Sequence, residues 1–220
     1  VNTYKSANMG TVTPNAEGIY EVSTAQDLRK IAYMLNEQGE TFSGKTVRLL
    51  ADIDLQNEEW IPMGGNASED GGSSVLFKGT FDGNGHTISN VTITQTDNSK
   101  SNAGLFGQLA QTAKLQDVNF ENVTFTIKKG ARVTGTAYGL LCGTAAEGAV
   151  VENVTIAESL LAIDSGCYFG TDDYVIGLVC GMGDVSVDPA GITCQAVGNA
   201  PESVNITVTD SEVTLEFVTQ

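Results

Sequence analysis

The sequence predicts an all-β fold in which one short structural unit repeats along the chain. A tetrapeptide of Asx, apolar, polar and apolar residues occurs four times, starting at Asn90, Asp117, Asn153 and Asn205. A second motif, Gly-Leu followed closely by another Gly, starts at residues 104, 139 and 177, which are 35 and 38 residues apart. Units of this length, which bury an apolar side only by stacking on one another, are typical of solenoids.

The residues between these motifs predict β-strands joined by corners. Apolar residues alternate with polar ones, and many are β-branched or aromatic, as in strands. Steps of three, from Leu115 to Val118 and from Phe120 to Val123, interrupt the alternation and keep the apolar side inward where the chain bends. Asn and Asp suit such corners because their side chains hydrogen-bond nearby backbone groups. Since a right-handed path is the favoured connection between parallel strands, we predict a right-handed parallel β-helix.

An amphipathic helix is predicted before the first repeat. Residues 23–26 match a capping box, and Gly39 ends the apolar pattern that follows. That pattern has helical spacing, with Leu28, Ile31, Ala32 and Leu35. A helix placed there would cover the open first coil, whose unpaired strand edges otherwise promote aggregation. We therefore divide a single domain into an N-terminal segment with its capping helix, 1–44, and the β-helix repeats, 45–220.

Composition and charge exclude several classes of function. The 27 acidic and 11 basic residues give a formal net charge of −16, which would repel nucleic acid. At 41% hydrophobic residues the chain can bury a core, and no apolar run approaches the roughly 18 residues of a membrane span. Because the chain begins at Val1 and a predicted strand, 213–218, runs almost to its end, we expect a processed or excised form of a longer protein.

Four stretches of the chain resemble a known family. They read LADIDL at 50–55, WIPMG at 60–64, FKGTFDGNGHTI at 77–88 and GLFG at 104–107. In this order after a helix, they resemble the GLUG-repeat β-helix proteins found in surface proteins of gut Bacteroidetes and of Gram-positive bacteria. The similarity covers about residues 20–165. It implies an exported, adhesin-like protein with a right-handed parallel β-helix, and it implies no characterised active site.

The best candidates for ligand binding lie on an insertion between repeats. The segments 165–174 and 184–200 depart from the repeat and are predicted to project as loops. The first carries Tyr168, Phe169, Asp172, Asp173 and Tyr174. Aromatic rings stack on sugars or apolar surfaces and carboxylates hydrogen-bond hydroxyls, so we predict that these residues bind a host or microbial glycan or matrix protein. The alternative is that the aromatic rings fold back and cover the solenoid.

Catalysis is not expected, although carboxylates are the groups to test. A glycosidase needs two acids across the scissile bond, one of them with a raised pKa. Asp52 and Asp54 alternate on one predicted strand and could point the same way, and Asp172 is followed by Asp173. We expect outward solvation for the first pair and a loop turn for the second. The single histidine, His86, follows an Asp-Gly-Asn-Gly turn and is predicted to be structural.

No cofactor is expected, with calcium as the one ion kept open. Asp82 with Asn84, or Asp184 with the Asp172 and Asp173 pair, could supply some of its oxygen ligands. Neither stretch matches an EF-hand loop or a glycine-rich calcium repeat. No C-x-x-C pair is present, so no zinc site is predicted.

Three further side chains are assigned to the interior. Cys142 and Cys180 occupy the same place in two repeats and are predicted to be buried free thiols. A disulfide between them is the alternative, because equivalent residues of stacked coils lie about 4.8 Å apart. Trp60 is predicted to pack in the core rather than to stack on a sugar.

The sequence thus predicts a non-catalytic module at the extracellular or bacterial cell surface, serving adhesion or ligand presentation. The alternative is a carbohydrate-binding or carbohydrate-active β-helix protein, related in chemistry to glycoside hydrolases and lyases. An enzyme should show an acid pair with a raised pKa in a groove along the solenoid, whereas an adhesin should show an apolar or aromatic patch.

Overall fold

The chain folds into parallel β-sheets with one α-helix near its N-terminus. A computed structural model describes residues 9–65, 75–95, 102–128, 132–133, 137–163, 168–169, 175–177, 179–183, 188–190, 193–197, 206–207 and 214–218. Within these ranges every pair of named strands runs parallel. The predicted all-β class and the helix before the repeats are both confirmed. No helix in the described ranges is long and apolar enough to cross a lipid bilayer.

The elements follow one another in a regular order along the chain. They are β1 Ile19–Val22, α1 Ala25–Gln38, β2 Thr46–Leu49, β3 Ile53–Asp54, β4 Thr80–Asp82, β5 Thr87–Gln95, β6 Asn102–Ala103, β7 Phe106–Leu109, β8 Lys114–Ile127, β9 Arg132–Val133, β10 Ala137–Tyr138, β11 Cys142–Ala145, β12 Val150–Ala157, β13 Leu160–Ile163, β14 Tyr168–Phe169, β15 Val175–Gly177, β16 Cys180–Met182, β17 Asp188–Ala190, β18 Thr193–Val197, β19 Ile206–Thr207 and β20 Thr214–Val218.

Helix α1 begins with a reciprocal capping box. The Thr24 side chain accepts a hydrogen bond from the Asp27 backbone N–H at 3.1 Å, and the Asp27 carboxylate accepts one from the Thr24 N–H at 3.2 Å. The box therefore uses residues 24 and 27, one residue later than the predicted 23–26. Gly39 ends the helix in the left-handed conformation, with φ of 70°, as predicted. The buried face packs on the first strands through Leu28, Ile31, Ala32, Met34 and Leu35.

Successive repeats stack in register in the largest sheet. Arg48, Asp82, Gln116 and Glu152 lie opposite one another on β2, β4, β8 and β12, and Glu21 on β1 extends the column. The first four are 34, 34 and 36 residues apart in the sequence. Three smaller sheets, in the orders β19-β15-β10-β6, β16-β11-β7 and β14-β9, repeat this arrangement. Each repeat therefore contributes strands to more than one sheet.

The corners between strands are residues in the left-handed conformation. Strand β8 bends at Asp117 and Asn122, whose φ angles are 51° and 53°. Asn153, next to Asp117 on the adjacent repeat, has φ of 51°, and Asn90, next to Asn122, has φ of 58°. The prediction that the Asx motifs mark corners is confirmed at Asn90, Asp117 and Asn153, while Asn205 lies outside the described residues.

Side-chain ladders connect these corners from repeat to repeat. The Asn122 amide donates to the Asn90 side-chain oxygen at 2.7 Å, and the Asn90 amide donates to the Asp54 carboxylate at 2.9 Å. In the parallel ladder, the Asn153 amide donates to the Asp117 carboxylate at 2.6 Å. Asn and Asp therefore serve the corners in two ways, since they tolerate positive φ and they bond to the same residue type in the next repeat.

One continuous apolar core runs between the sheets. An aromatic chain begins at Tyr20 and passes through Phe42, Phe77 and Phe106 with ring centroids 5.2 to 6.1 Å apart. Trp60 is only 3% exposed, and its indole N–H donates to the Leu105 carbonyl at 3.0 Å. The prediction that Trp60 belongs to the core is therefore confirmed.

Two of the predicted loop segments contain strands. Strand β17 and strand β18 both fall within 184–200, and they pair in parallel with β12 and β13. Strand β14 falls within 165–174 and pairs with β9. The prediction of projecting loops is wrong for these residues, because their backbones continue the sheets although their sequences lack the repeat motifs.

The repeated glycines allow the backbones of neighbouring repeats to approach closely. A Cβ atom placed on any glycine of the Gly-Leu motifs would come within 3.0 Å of a backbone atom: Gly104, Gly107, Gly139, Gly143, Gly177 and Gly181. For five of them, all except Gly177, such an atom belongs to the adjacent repeat. The glycines of the motif are therefore needed because any larger side chain would clash with the backbone that lies against them.

We predict that Gly107→Ala lowers the free energy of unfolding by about 3 kcal/mol, because its methyl group would overlap the Gly64 carbonyl and the backbone of Gly65. The matched control is Gly44→Ala. Gly44 also favours glycine, with φ of 70°, but nothing lies within 4 Å of its Cβ position, so a loss of about 1 kcal/mol is expected. Urea unfolding of both variants measures the difference. Equal losses of unfolding free energy in the two variants would contradict the view that Gly107 is needed for close contact between the backbones of neighbouring repeats.

Candidate functional site

The predicted ligand-binding residues are only partly within the described structure. Tyr168 and Phe169 form strand β14, whose backbone pairs in parallel with Arg132 and Val133 of β9. Asp172, Asp173 and Tyr174 lie outside the described residues. The ligand-binding site therefore stays a prediction. The structure adds that the backbone of its first two residues is part of a β-sheet.

The carboxylates of Asp52 and Asp54 are both engaged by the neighbouring repeat. Asp52 accepts from the Thr87 backbone N–H at 2.9 Å and lies 3.1 Å from Nδ1 of His86. The Thr87 hydrogen bond, and after it His86, lowers the pKa of Asp52. Asp54 accepts from the Asn90 amide at 2.9 Å and from a backbone N–H in its own turn, and these bonds lower its pKa too. Both side chains are therefore arranged to remain ionised hydrogen-bond acceptors.

The Asp-Gly-Asn-Gly turn is a corner that connects two repeats. Asn84 and Gly85 have φ of 52° and 82°, and the Gly85 N–H donates to the Asp117 carbonyl at 2.8 Å. Asp82, at the start of the turn, is buried and binds the Arg48 guanidinium at 2.9 Å and the Asn84 N–H at 2.9 Å. Burial raises the pKa of Asp82, but these hydrogen bonds outweigh it and hold the pKa below its usual value.

His86 and the first pair of candidate calcium ligands, Asp82 and Asn84, are thus engaged in structural contacts. The other candidate ligands lie outside the described residues: Asp172, Asp173 and Asp184. The His86 ring is paired with Asp52 across repeats, and the Asp82 oxygens bind Arg48 and Asn84. In the part of the chain that the structure describes, no group of three or more His, Cys, Asp or Glu side chains is placed to hold a metal ion.

A small, solvent-open cleft of about 40 Å³ lies between α1 and the segment after β3. Its lining is mainly apolar and includes a half-buried aromatic ring, Tyr33. The lining residues are Met9, Arg29, Ala32, Tyr33, Asn36, Glu37, Glu59, Trp60 and Ile61. We call this feature the helix cleft.

Polar contacts hold the two walls of the helix cleft together. The Arg29 guanidinium donates to the Glu59 carbonyl at 3.4 Å and pairs with Glu58 at 3.1 Å. The Asn36 amide donates to the Pro62 carbonyl at 2.9 Å, and its oxygen accepts from the Gly64 N–H at 2.7 Å. The cleft is therefore a preformed feature rather than a gap between loose elements.

Sequence reasoning missed the helix cleft. The available signal was the spacing of Arg29, Tyr33 and Asn36, which lie about one helical turn apart on the flank of the apolar stripe. That spacing indicates a second contact face of α1. It does not indicate that the facing segment is 59–61.

The comparisons with known proteins show a distant similarity over part of the chain. Neither a protein-family model nor a solved structure matches the chain significantly. Halomucin from Haloquadratum walsbyi is 33% identical to the chain over 144 residues, which is 64% of the chain. The same alignment covers 1% of halomucin, so the chain spans about one hundredth of that relative's length.

Acid should destabilise the protein through Asp52, Asp54 and Asp82. Their folded pKa values lie below the unfolded value of 3.8, so their stabilising effect is present above that value and is lost as the pH falls through the folded values. We expect the free energy of unfolding to decline below about pH 5, and Asp82→Asn to make the decline shallower. Urea titrations at several pH values measure this. The exposed turn variant Glu147→Gln is the control, and an unchanged slope in Asp82→Asn would contradict the prediction.

Proposed function

We propose that the parallel sheets are the faces of a right-handed β-helix in which each repeat of about 35 residues forms one coil. Three features of the described residues support this. The strands of successive repeats are in register, the corners repeat in columns of left-handed residues, and one core continues from Tyr20 to Cys180. A right-handed path is the favoured one for parallel connections.

We further propose that the protein is a non-catalytic cell-surface module for adhesion or ligand presentation. This proposal rests on the hydrogen bonding of three carboxylates in the protein. Asp52, Asp54 and Asp82 each bond to an adjacent repeat, and each has a lowered pKa. A general acid of a glycosidase requires the opposite shift. These residues therefore favour a scaffold that displays a ligand site over one that hydrolyses a glycan.

The surface location is supported by charge and by two similarities. A net charge of −16 keeps an exported protein soluble. The resemblance to GLUG-repeat proteins implies a bacterial cell surface, and the name of the relative, halomucin, is compatible with an extracellular protein.

Two regions are candidates for the ligand, which we propose is a glycan or a matrix protein. One is the segment 168–174, which contains three aromatic residues and two carboxylates among seven residues. The other is the helix cleft, which combines Tyr33, apolar lining residues and the exposed carboxylate of Glu37. The Glu59 carboxylate beside it is bound by the Thr94 backbone N–H at 2.7 Å and by the Thr94 hydroxyl at 2.9 Å. The cleft supports the alternative function, a carbohydrate-binding module, because an aromatic ring beside an exposed carboxylate suits contact with a sugar ring.

A binding screen against glycans and matrix proteins tests the proposal and locates the site. We expect saturable binding to one ligand class, lost in the double variant Tyr168→Ala/Tyr174→Ala and retained in Tyr33→Ala. Running each assay with calcium and with EDTA tests the ion. Circular dichroism and thermal unfolding of each variant establish that it is folded.

The other outcomes are equally informative. Binding lost only in Tyr33→Ala would move the site to the helix cleft and favour the carbohydrate-binding function. Hydrolysis or eliminative cleavage of a bound glycan would overturn the non-catalytic assignment. Absence of binding to every ligand would overturn the adhesion proposal for this chain.

A further inference from the structure

Two buried cysteines face each other across adjacent repeats. Cys142 begins β11 and Cys180 begins β16, and they are paired residues in the parallel register of these strands. Their Sγ atoms are 3.2 Å apart, and both side chains are free thiols with 0% and 6% exposure. The prediction of buried thiols in equivalent positions is confirmed, and the distance raises the question of oxidation.

The strand geometry permits a bond between them. Paired residues of neighbouring strands lie about 4.7–4.9 Å apart, within the 4.4–6.8 Å over which Cα atoms are bridged by disulfides. The two sulfur atoms must approach by about 1 Å to reach the bond length of about 2.05 Å. A small rotation of the two side chains is enough for that movement. The backbone needs no shift, because the strand register already places the two residues side by side.

The two thiols differ in reactivity. The hydrogen bond between the thiols lowers the pKa of Cys180, while the same bond and then burial raise the pKa of Cys142. Cys180 is also nearer to solvent, since it is 6% exposed whereas Cys142 is fully buried. Cys180 is therefore the thiol that ionises first and that a small oxidant reaches first.

We propose that Cys142 and Cys180 form a reversible disulfide by exchange with a small-molecule disulfide. The Cys180 thiolate attacks one sulfur of oxidised glutathione, which forms a mixed disulfide and releases one glutathione thiolate. That thiolate takes the proton of Cys142, whose sulfur then attacks the Cys180 sulfur and releases the second glutathione. Two protein thiols are oxidised and one glutathione disulfide is reduced to two thiols.

The disulfide would cross-link the two repeats on either side of the segment that contains the predicted ligand-binding residues. It closes the chain from residue 142 to residue 180, which includes Tyr168 and Phe169 of β14. Cross-links that close long segments stabilise a fold chiefly by restricting the unfolded chain. Oxidation would thus make the two repeats separate less readily without changing their register. This inference does not depend on the proposed function.

Cysteine mapping of the whole chain after incubation with oxidised glutathione tests the proposal. We expect a loss of about 2 Da and a linked peptide pair containing Cys142 and Cys180, reversed by dithiothreitol. Trypsin is unsuitable because Arg132 is the last basic residue, and so a protease specific for Glu and Asp is needed. The oxidised protein should unfold about 5 °C higher than the reduced one.

Two variants make the test specific. In Cys142→Ala the exchange should stop at the mixed disulfide, so that the protein gains about 305 Da on Cys180. Cys194→Ala is the matched control, because the in-register neighbours of Cys194 are Leu161 and Leu215, and it should still form the 142–180 bond. Thiols 142 and 180 that stay reduced in the folded wild-type chain, or a linked pair that involves Cys167 or Cys194, would overturn the proposal.

Discussion

The spacing between stacked repeats is the constraint on which the rest of the structure depends. Strand pairing fixes it at about 4.8 Å, and every repeat must accept that distance along its whole length. Glycine is needed where the backbone of one repeat lies against the next, as at Gly107 and Gly143. The left-handed corners at Asp117 and Asn122 keep the apolar side of a bent strand inward. Without this register the continuous core would not close, because one repeat alone cannot bury its apolar side.

The same constraint decides which polar groups are available for function. The Asn and Asp side chains at the corners bond to equivalent residues of the next repeat, as Asn122 does to Asn90 and Asn153 does to Asp117. Such groups serve the scaffold, and their ionised state is maintained by the contacts. For recognition we propose the two candidate regions outside these corners, the helix cleft and the segment 168–174.

Much of the fold can be predicted from the sequence because each repeat must bury an apolar side and turn at its corners, so the same residue pattern occurs several times. The alternation of apolar residues, the Asx corners and the paired glycines each predict a part of the stack. The helix was predicted with its end at Gly39, although its capping box uses Asp27 rather than Gln26. Strands β17 and β18 were missed because they pair through backbone atoms, which leave no motif in the sequence. The helix cleft was missed because it joins residues about 30 positions apart, such as Arg29 and Glu59.

The most direct test of in-register stacking is a distance between two exposed residues at opposite ends of one column. In the part of the chain that the structure describes, Glu21 and Glu152 are the outermost residues of the column that passes through Arg48, Asp82 and Gln116. They are therefore separated by four strand spacings, or about 19 Å. Spin labels at Glu21→Cys and Glu152→Cys, in a chain whose four natural cysteines are Ala, measure this distance by pulsed electron paramagnetic resonance. The account predicts one narrow distribution centred near 20 Å, allowing for the length of the labels. A broad distribution, or a mean beyond about 30 Å, would contradict it.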